Sequence, residues 1–272
     1  MSNGNISGDS LIFVGGAGRS GTTLMRVMLN AHPSLCAGPE FKLVPSIAEL
    51  YRQMKNMRDT RKAYNLTESD IRRSFALFVN SLFEGFRKCN GAKKVVEKTP
   101  HNVLIMKELV EILPQAKFIH VVRDGRDVAC SLTKMNWTDF RGRILPYVEN
   151  IENAIRYWVQ VVSRALQDAR HPSLQGKVMI VHYEELVCHP EEVMREVLTF
   201  LDEPWIDDVL NYTAVKRENE PVESSTGQVA HKPYSSSIGR WRREFDSTNV
   251  NIVKGIAGRL LIELGYEKDI DW

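Results

Sequence analysis

In a chain of 272 residues, 36 Lys and Arg nearly balance 34 Asp and Glu, for a formal net charge of +2. That is no global signature of a nucleic-acid binder, and the length suffices to bury a substantial core, one large α/β domain being preferred over two small ones. No apolar run approaches a membrane span, and the polar stretch Met1 to Ser10, expected to be a flexible segment ahead of a domain over residues 11–272, lacks the apolar heart of a signal peptide. The four cysteines, Cys36, Cys89, Cys130 and Cys188, are scattered without metal-ligand spacing. They fit reduced thiols in a cytosol better than a disulfide framework, and no metal is expected. The N-x-[ST] tripeptides at Asn5, Asn65, Asn136 and Asn211 decide nothing without a secretory signal.

Leu11 to Val14 suits a short strand buried on both faces, and Gly15, Gly16, Gly18 and Gly21 let the following backbone turn its N–H groups onto an anion. Leu24 to Ala31 supplies a helix whose N-terminus adds donors and partial positive charge at the same place. From Gly16 to Thr23 the spacing nearly matches the nucleotide loop G-x-x-x-x-G-K-[ST], but Thr22 stands where the lysine belongs. A nucleoside triphosphatase needs that lysine. Arg19 with Ser20, Thr22 and Thr23 suits a smaller anionic group.

Pro33 ends this helix, and Ser34 to Phe41 reads as a loop carrying Gly38, Pro39 and Glu40. Pro45 suits a helix start, with Ile47, Leu50, Tyr51 and Met54 on one face. Arg52, Lys55, Arg58, Arg61 and Lys62 form either a solvated face or a rim attracting an acidic substrate. Thr67 caps a helix through Phe86 that buries Ile71, Phe75, Phe78, Val79, Leu82 and Phe86. Lys94 to Glu97 is a short strand delivering Lys98, Thr99 and Pro100 into a loop, and Asn102 opens the next helix.

Lys117 to Val122 is a second apolar strand that runs into Arg123-Asp124-Gly125-Arg126-Asp127 and a helix containing Ser131. Polar groups at the carboxyl end of a parallel strand are where open α/β sheets place ligand contacts; the alternative is that Arg123 and Arg126 only pair with Asp124 and Asp127. A long helix over Tyr147 to Ala169, a strand over Val178 to Val181 followed by His182 and Tyr183, and a helix from near Pro190 come next. Thr213 to Ser237 is polar, either surface or a loop ordered by ligand, and Val250 to Leu264 is the last helix, stopped by Gly265. Strand and helix alternate throughout, so the expected fold is α/β: a mainly parallel sheet flanked by helices, with a P-loop-like turn after its first strand.

Gly-Arg-Ser-Gly-Thr-Thr at Gly18 to Thr23, Glu-Lys-Thr-Pro at Glu97 to Pro100 and Val-Arg-Asp-Gly-Arg at Val122 to Arg126 together resemble the sulfotransferase superfamily. Within it the chain is most similar to tyrosylprotein sulfotransferases, through Thr22 to Pro33, His182 to Leu186, Ser225 to Val229 and Leu264 to Tyr266. The resemblance implies 3′-phosphoadenosine-5′-phosphosulfate (PAPS) as donor. It implies that Arg19, Ser20, Gly21, Thr22 and Thr23 cradle the 5′-phosphosulfate, that Arg123 with Ser131 clamps the 3′-phosphate, and that Tyr183, Ser225, Thr226, Gln228 and Lys232 complete the nucleotide site. Glu40 matches the family's glutamate base and Lys98 the lysine that stabilises the leaving phosphate. Lys42 stands near the acceptor where the family carries arginine, keeping charge but losing the bidentate fork.

The implied acceptor is tyrosine in an acidic peptide or protein, with a carbohydrate or small-molecule hydroxyl as the alternative; a homodimer is left open. Pro39 replaces a second acidic residue, and Ala37, Val96, Arg170 and Val178 stand at the animal enzymes' cysteine positions. A cytoplasmic or soluble setting is therefore expected, the alternative being a Golgi lumen with an N-terminal anchor removed. A nucleotide kinase and a non-catalytic nucleotide-binding module are the rival classes.

Overall fold

The computed structural model describes residues 7–139, 141–214 and 235–272. Five strands, β1 (Leu11–Gly15), β2 (Leu35–Ala37), β3 (Lys94–Lys98), β4 (Lys117–Val122) and β5 (Val178–His182), form one sheet in the order β2-β3-β1-β4-β5. Every pairing is parallel, with Phe13 opposite Glu97 on one side and Phe118 on the other. Such a sheet needs helices on both faces. They are α1 (Thr22–Leu29), α2 (Val44–Asn56), α3 (Arg58–Ala63), α4 (Glu68–Cys89), α5 (Met106–Ile112), α6 (Gly125–Leu132), α7 (Ile151–Ala169), α8 (Tyr183–Cys188), α9 (Pro190–Phe200), α10 (Trp241–Glu244) and α11 (Ser247–Glu263).

The side-chain alternation of a strand divides the core. Ile12, Val14, Ile119 and Val121 pack with α1, α8 and α9. Leu11, Phe13, Phe118 and Val122 face the other way, onto α2, α4, α5, α6, α7 and α11. Thus β1 and β5 lead into helices on the first face, while the chain after β3 and β4 leads to helices on the second. The loops after β1, β3 and β4 diverge around a crevice at the carboxyl edge of the sheet, where open α/β folds take ligands.

Local signals account for several element ends. Thr67 and Asp70 form the reciprocal capping box that opens α4. Asn150 caps α7, so the expected start at Tyr147 is a separate 3-10 turn over Pro146–Val148. Gly265, at φ 79°, stops α11.

Three expectations are corrected, and one short helix is added. The loop over Ser34 to Phe41 contains β2, an edge strand of three residues, too short to show a pattern. Asn102 opens no α-helix: Pro100–Leu104 is a 3-10 turn, and buried Asn102 bonds back to Glu97 and to the Val14 carbonyl. Phe78 is 49% exposed, Phe86 36% and Leu50 51%, because the stripes on α4 and α2 are wider than the core they meet. Leu186 and Val187 belong to a short helix, α8, that fills the turn between β5 and α9.

The basic face of α2 and α3 is laced by ion pairs: Arg52 with Glu49, Lys55 with Glu111 at 2.7 Å and Arg61 with Glu68 at 3.1 Å. Among the described residues no helix is long and apolar enough to cross a membrane.

Candidate functional site

The loop between β1 and α1 lies at this carboxyl edge of the sheet. Arg19 takes a left-handed conformation (φ 71°), as does Gly21 (φ 95°), and no side chain caps the first turn of α1. Thr22 and Thr23, which open that turn, are both buried. Gly21 is required on two counts. Its φ disfavours other residues, and a Cβ there would lie 2.3 Å from Cδ2 of Tyr183.

That ring belongs to the first residue of α8, and it also supports Arg123, whose Cζ sits 4.4 Å from the ring centroid. Arg123 follows β4. Its carbonyl accepts from Trp158 Nε1 at 3.0 Å, which fixes the backbone, while Nη2 donates to the Ser237 carbonyl at 2.8 Å and Nη1 to the Arg19 carbonyl at 3.3 Å. Ser131, on α6, meets Arg19: Arg19 Nε donates to its hydroxyl at 3.0 Å. Arg19, Arg123, Ser131 and Tyr183 thus converge from three separate turns. Ser237 closes the group, its hydroxyl 3.1 Å from that of Tyr183.

Arg126 and Asp127, two residues further on, serve the scaffold. The Arg126 guanidinium lies 4.0 Å from the ring centroid of Trp241 and 4.5 Å from that of Trp272, paired with Asp124 at 2.7 Å and with Glu267. Asp127 accepts from the backbone N–H groups of Gly239 and Trp241 at 2.7 and 3.0 Å, anchoring the segment that presents Ser237. The alternative reading, that Arg126 pairs with Asp124, describes this pair, and the pair is buried.

On the far side of β1, Lys98 ends β3 and is 1% exposed; its Nζ donates to Glu40 Oε1 at 2.5 Å. The loop carrying Glu40 is held from beneath by Glu97, whose Oε1 accepts from the Phe41 N–H at 3.2 Å and from the Thr99 hydroxyl at 2.7 Å. Burial pushes the Glu97 carboxyl above its usual range, against the hydrogen bonds from Asn102, Thr99 and Phe41 that favour its charged form. Lys42 is exposed, in a left-handed conformation (φ 58°), with its N–H on the Thr99 hydroxyl at 3.2 Å. Ser225, Thr226, Gln228 and Lys232 lie outside the described residues.

Sequence reasoning missed a polar contact at the start of this β1 loop. Tyr157 of α7 accepts from the Gly18 N–H at 3.1 Å, and its hydroxyl lies 3.1 Å from His101 Nε2. Tyr147 stacks on Tyr157 with ring centroids 4.3 Å apart, and Trp137 packs edge-on to Tyr147. His101 follows the Glu-Lys-Thr-Pro run directly, which was its only sequence signal. Burial lowers its pKa, and the Glu40 carboxylate opposes that shift.

The residues present fit a ligand carrying phosphate groups. Ser20 Oγ and Arg123 Nε are buried without a hydrogen-bond partner among the described residues, and both belong to the turns that meet in the crevice. Guanidinium forks, hydroxyls and helix-terminal donors are the usual recognition set for such a dianion, and the Glu40–Lys98 pair beside them offers a carboxylate and an ammonium for proton and charge transfer.

The fold and the sequence have clear relatives. The chain resembles protein-tyrosine sulfotransferase of Drosophila melanogaster, 31% identical over 270 residues, covering 94% of this chain and 52% of that protein. It resembles protein-tyrosine sulfotransferase 1 of Danio rerio, also 31% identical over 270 residues, covering 94% and 72%. The chain thus spans about half the length of the fly relative and nearly three quarters of the fish one.

Among solved structures, the sulfotransferase domain of the Synechococcus PCC 7002 olefin synthase superposes with a TM-score of 0.60 at 20% identity, over 91% of this chain and 94% of that one. A mouse sulfotransferase complexed with PAP gives 0.59 at 14% identity, over 95% and 89%. These two share the fold. A profile of the sulfotransferase family matches residues 11–207, a stretch that takes in the β1 loop, the Glu40–Lys98 pair and the Arg123 turn, and the chain belongs to that family.

Proposed function

We propose that the chain transfers a sulfuryl group from PAPS to an acceptor hydroxyl, and that the acceptor is a tyrosine in a protein or peptide. The carrying observation is the contact of Glu40 with Lys98 at 2.5 Å, on the opposite side of β1 from the Arg19–Arg123–Ser131 cluster. The relatives named protein-tyrosine sulfotransferase support the acceptor, and the neighbour that holds PAP supports the donor. Strands β1 to β5 and helix α11 share one core, which supports reading residues 11–272 as a single catalytic domain.

The donor supplies an activated sulfuryl group on a phosphate leaving group. Arg19, Ser20, Gly21, Thr22 and Thr23 hold the phosphosulfate end through guanidinium, hydroxyl and backbone donors, and Arg123, resting on Tyr183, holds the second phosphate. Glu40 takes the acceptor proton at its carboxylate as the new oxygen–sulfur bond forms, because a phenol is far too basic to ionise beforehand. Lys98 places positive charge where the leaving oxygen becomes negative.

The test is to incubate the protein with PAPS and a panel of acidic tyrosine peptides, oligosaccharides and phenols, then identify products by mass. Sulfate on peptide tyrosine is expected; sulfate only on sugars or small phenols would refute the acceptor. Glu40→Gln is expected to slow transfer by ~10²- to 10⁴-fold while PAP still binds. Transfer at the native rate would remove Glu40 as the base.

A further inference from the structure

Arg19 is a non-glycine residue held at φ 71°, a conformation costing roughly 1 kcal/mol or more that persists only where its surroundings impose it. On its C-terminal side the side chain is tied down by Ser131. On its N-terminal side the preceding amide, Gly18 N–H, is bonded to Tyr157 Oη. A phenol has one proton. Since Tyr157 Oη accepts from Gly18, its own proton is available to His101 Nε2, 3.1 Å away, and His101 is then the neutral tautomer with its proton on Nδ1.

His101 stands in the turn after Lys98, close enough to Glu40 for that carboxylate to act on it electrostatically. Tyr147 stacks behind Tyr157 and holds the ring in place. The chain of contacts therefore runs from the side of the base, through an imidazole and a phenol, to the turn that carries Arg19.

We propose that His101 and Tyr157 are positioning residues of the donor site: His101 Nε2 accepts a hydrogen bond from the Tyr157 hydroxyl, Tyr157 Oη accepts one from the Gly18 N–H, and this strut sets the turn that presents Arg19. The inference rests on the reading of that turn as the donor cradle. It has a chemical consequence that a mere packing role lacks. Protonated His101 has no lone pair for the Tyr157 proton and donates from Nε2 instead, so acid reverses this bond and takes away the acceptor of the Tyr157 proton. The groups that set this titration are the burial of the ring, which favours neutral imidazole, and Glu40 facing it from the loop after β2, which favours the charged form; Tyr157 faces it from α7.

The experiment is calorimetric titration of the whole chain with PAP, for the unsubstituted protein, Tyr157→Phe, His101→Ala, His101→Gln and the double variant Tyr157→Phe/His101→Ala. Tyr157→Phe removes only the hydroxyl and keeps the stack on Tyr147. It and His101→Ala are each expected to weaken PAP by ~3- to 10-fold, with no further loss in the double variant. His101→Gln keeps an acceptor and is expected to bind within about twofold of the unsubstituted protein near pH ~7.5. As pH falls below the ordinary imidazole range, to where burial has moved the His101 titration, the unsubstituted protein loses affinity more steeply than His101→Gln, the glutamine profile showing what protonation of PAP alone contributes.

Unchanged affinity in Tyr157→Phe, additive losses in the double variant, or superimposable pH profiles would each overturn the strut. Failure of PAP to bind the unsubstituted protein would instead overturn the donor cradle. The two failures are separate results of one titration series.

Discussion

Replacing His120 by methionine tests how the sheet carries a buried base. His120 sits in β4 between Gly15 of β1 and Ile180 of β5, fully buried, with both ring nitrogens unpartnered among the described residues. Burial, with a smaller push from His182, holds its pKa down at about 3 against an ordinary 6.5. Between those values the unfolded chain binds a proton that the folded chain refuses, so stability is complete above pH 6.5 and falls as pH drops through the window.

The slope is about 1.4 kcal/mol per pH unit, so this one group removes roughly 2 kcal/mol by pH ~5, or about 4–8 °C in Tm for a chain of this size. Methionine is close in volume and does not titrate, and it removes two unsatisfied polar atoms. Calorimetric Tm values near pH ~7.5 and ~5 should therefore fall several degrees less in His120→Met than in the parent. Glu97, Glu184 and Asp127, whose burial raises their pKa values, contribute equally to both proteins and cancel in the difference. An equal fall in both proteins would refute the assignment of the acid slope to His120.

Two further substitutions probe the scaffold of the site. Gly21→Ala drives a methyl into the Tyr183 ring at φ 95°, and is expected to displace the support under Arg123 and weaken PAP by ~10-fold or more; native affinity by calorimetry would show that the ring contact is dispensable. Arg126→Met strands Asp124 and Glu267 beside two indoles, for an expected loss of about 3 kcal/mol in urea unfolding. A midpoint within experimental error of the parent would mean that the cage is not a stabilising element.

How much of this was legible in the residues depended on sequence distance. Strands β1, β3, β4 and β5 announced themselves as short apolar runs ending in polar or glycine-rich turns, and the α4 cap by Thr67 and Asp70 three apart. The parallel sheet with helices on both faces followed from their alternation. The three motifs also fell where the fold brings loops together. Partnerships inside the crevice were less accessible. Ser131 lies one helix after Arg123, yet its hydroxyl bonds to Arg19, because α6 runs back past the β1 loop. Tyr157 sits in a long amphipathic helix, where an aromatic reads as core, and nothing local to it signals Gly18 or His101. Arg126 and Trp272 are separated by more than half the length of the chain, and only the closed fold joins them.

The order β2-β3-β1-β4-β5 also bears on how the protein is made. Of the five strands, β1 is the first to leave the ribosome, yet it gains its neighbours late, since one edge waits for Val95 and the other for Lys117. Until then Leu11 to Val14 is an unpaired apolar edge, the kind of segment that recruits chaperones or aggregates. Both ladders close over long stretches of chain, which makes assembly slow relative to local helix formation. The loop after β1 therefore cannot acquire its left-handed turn until Val122 has been synthesised and β4 has docked, and a nascent chain arrested before that point would carry a phosphate-loop sequence with no phosphate loop.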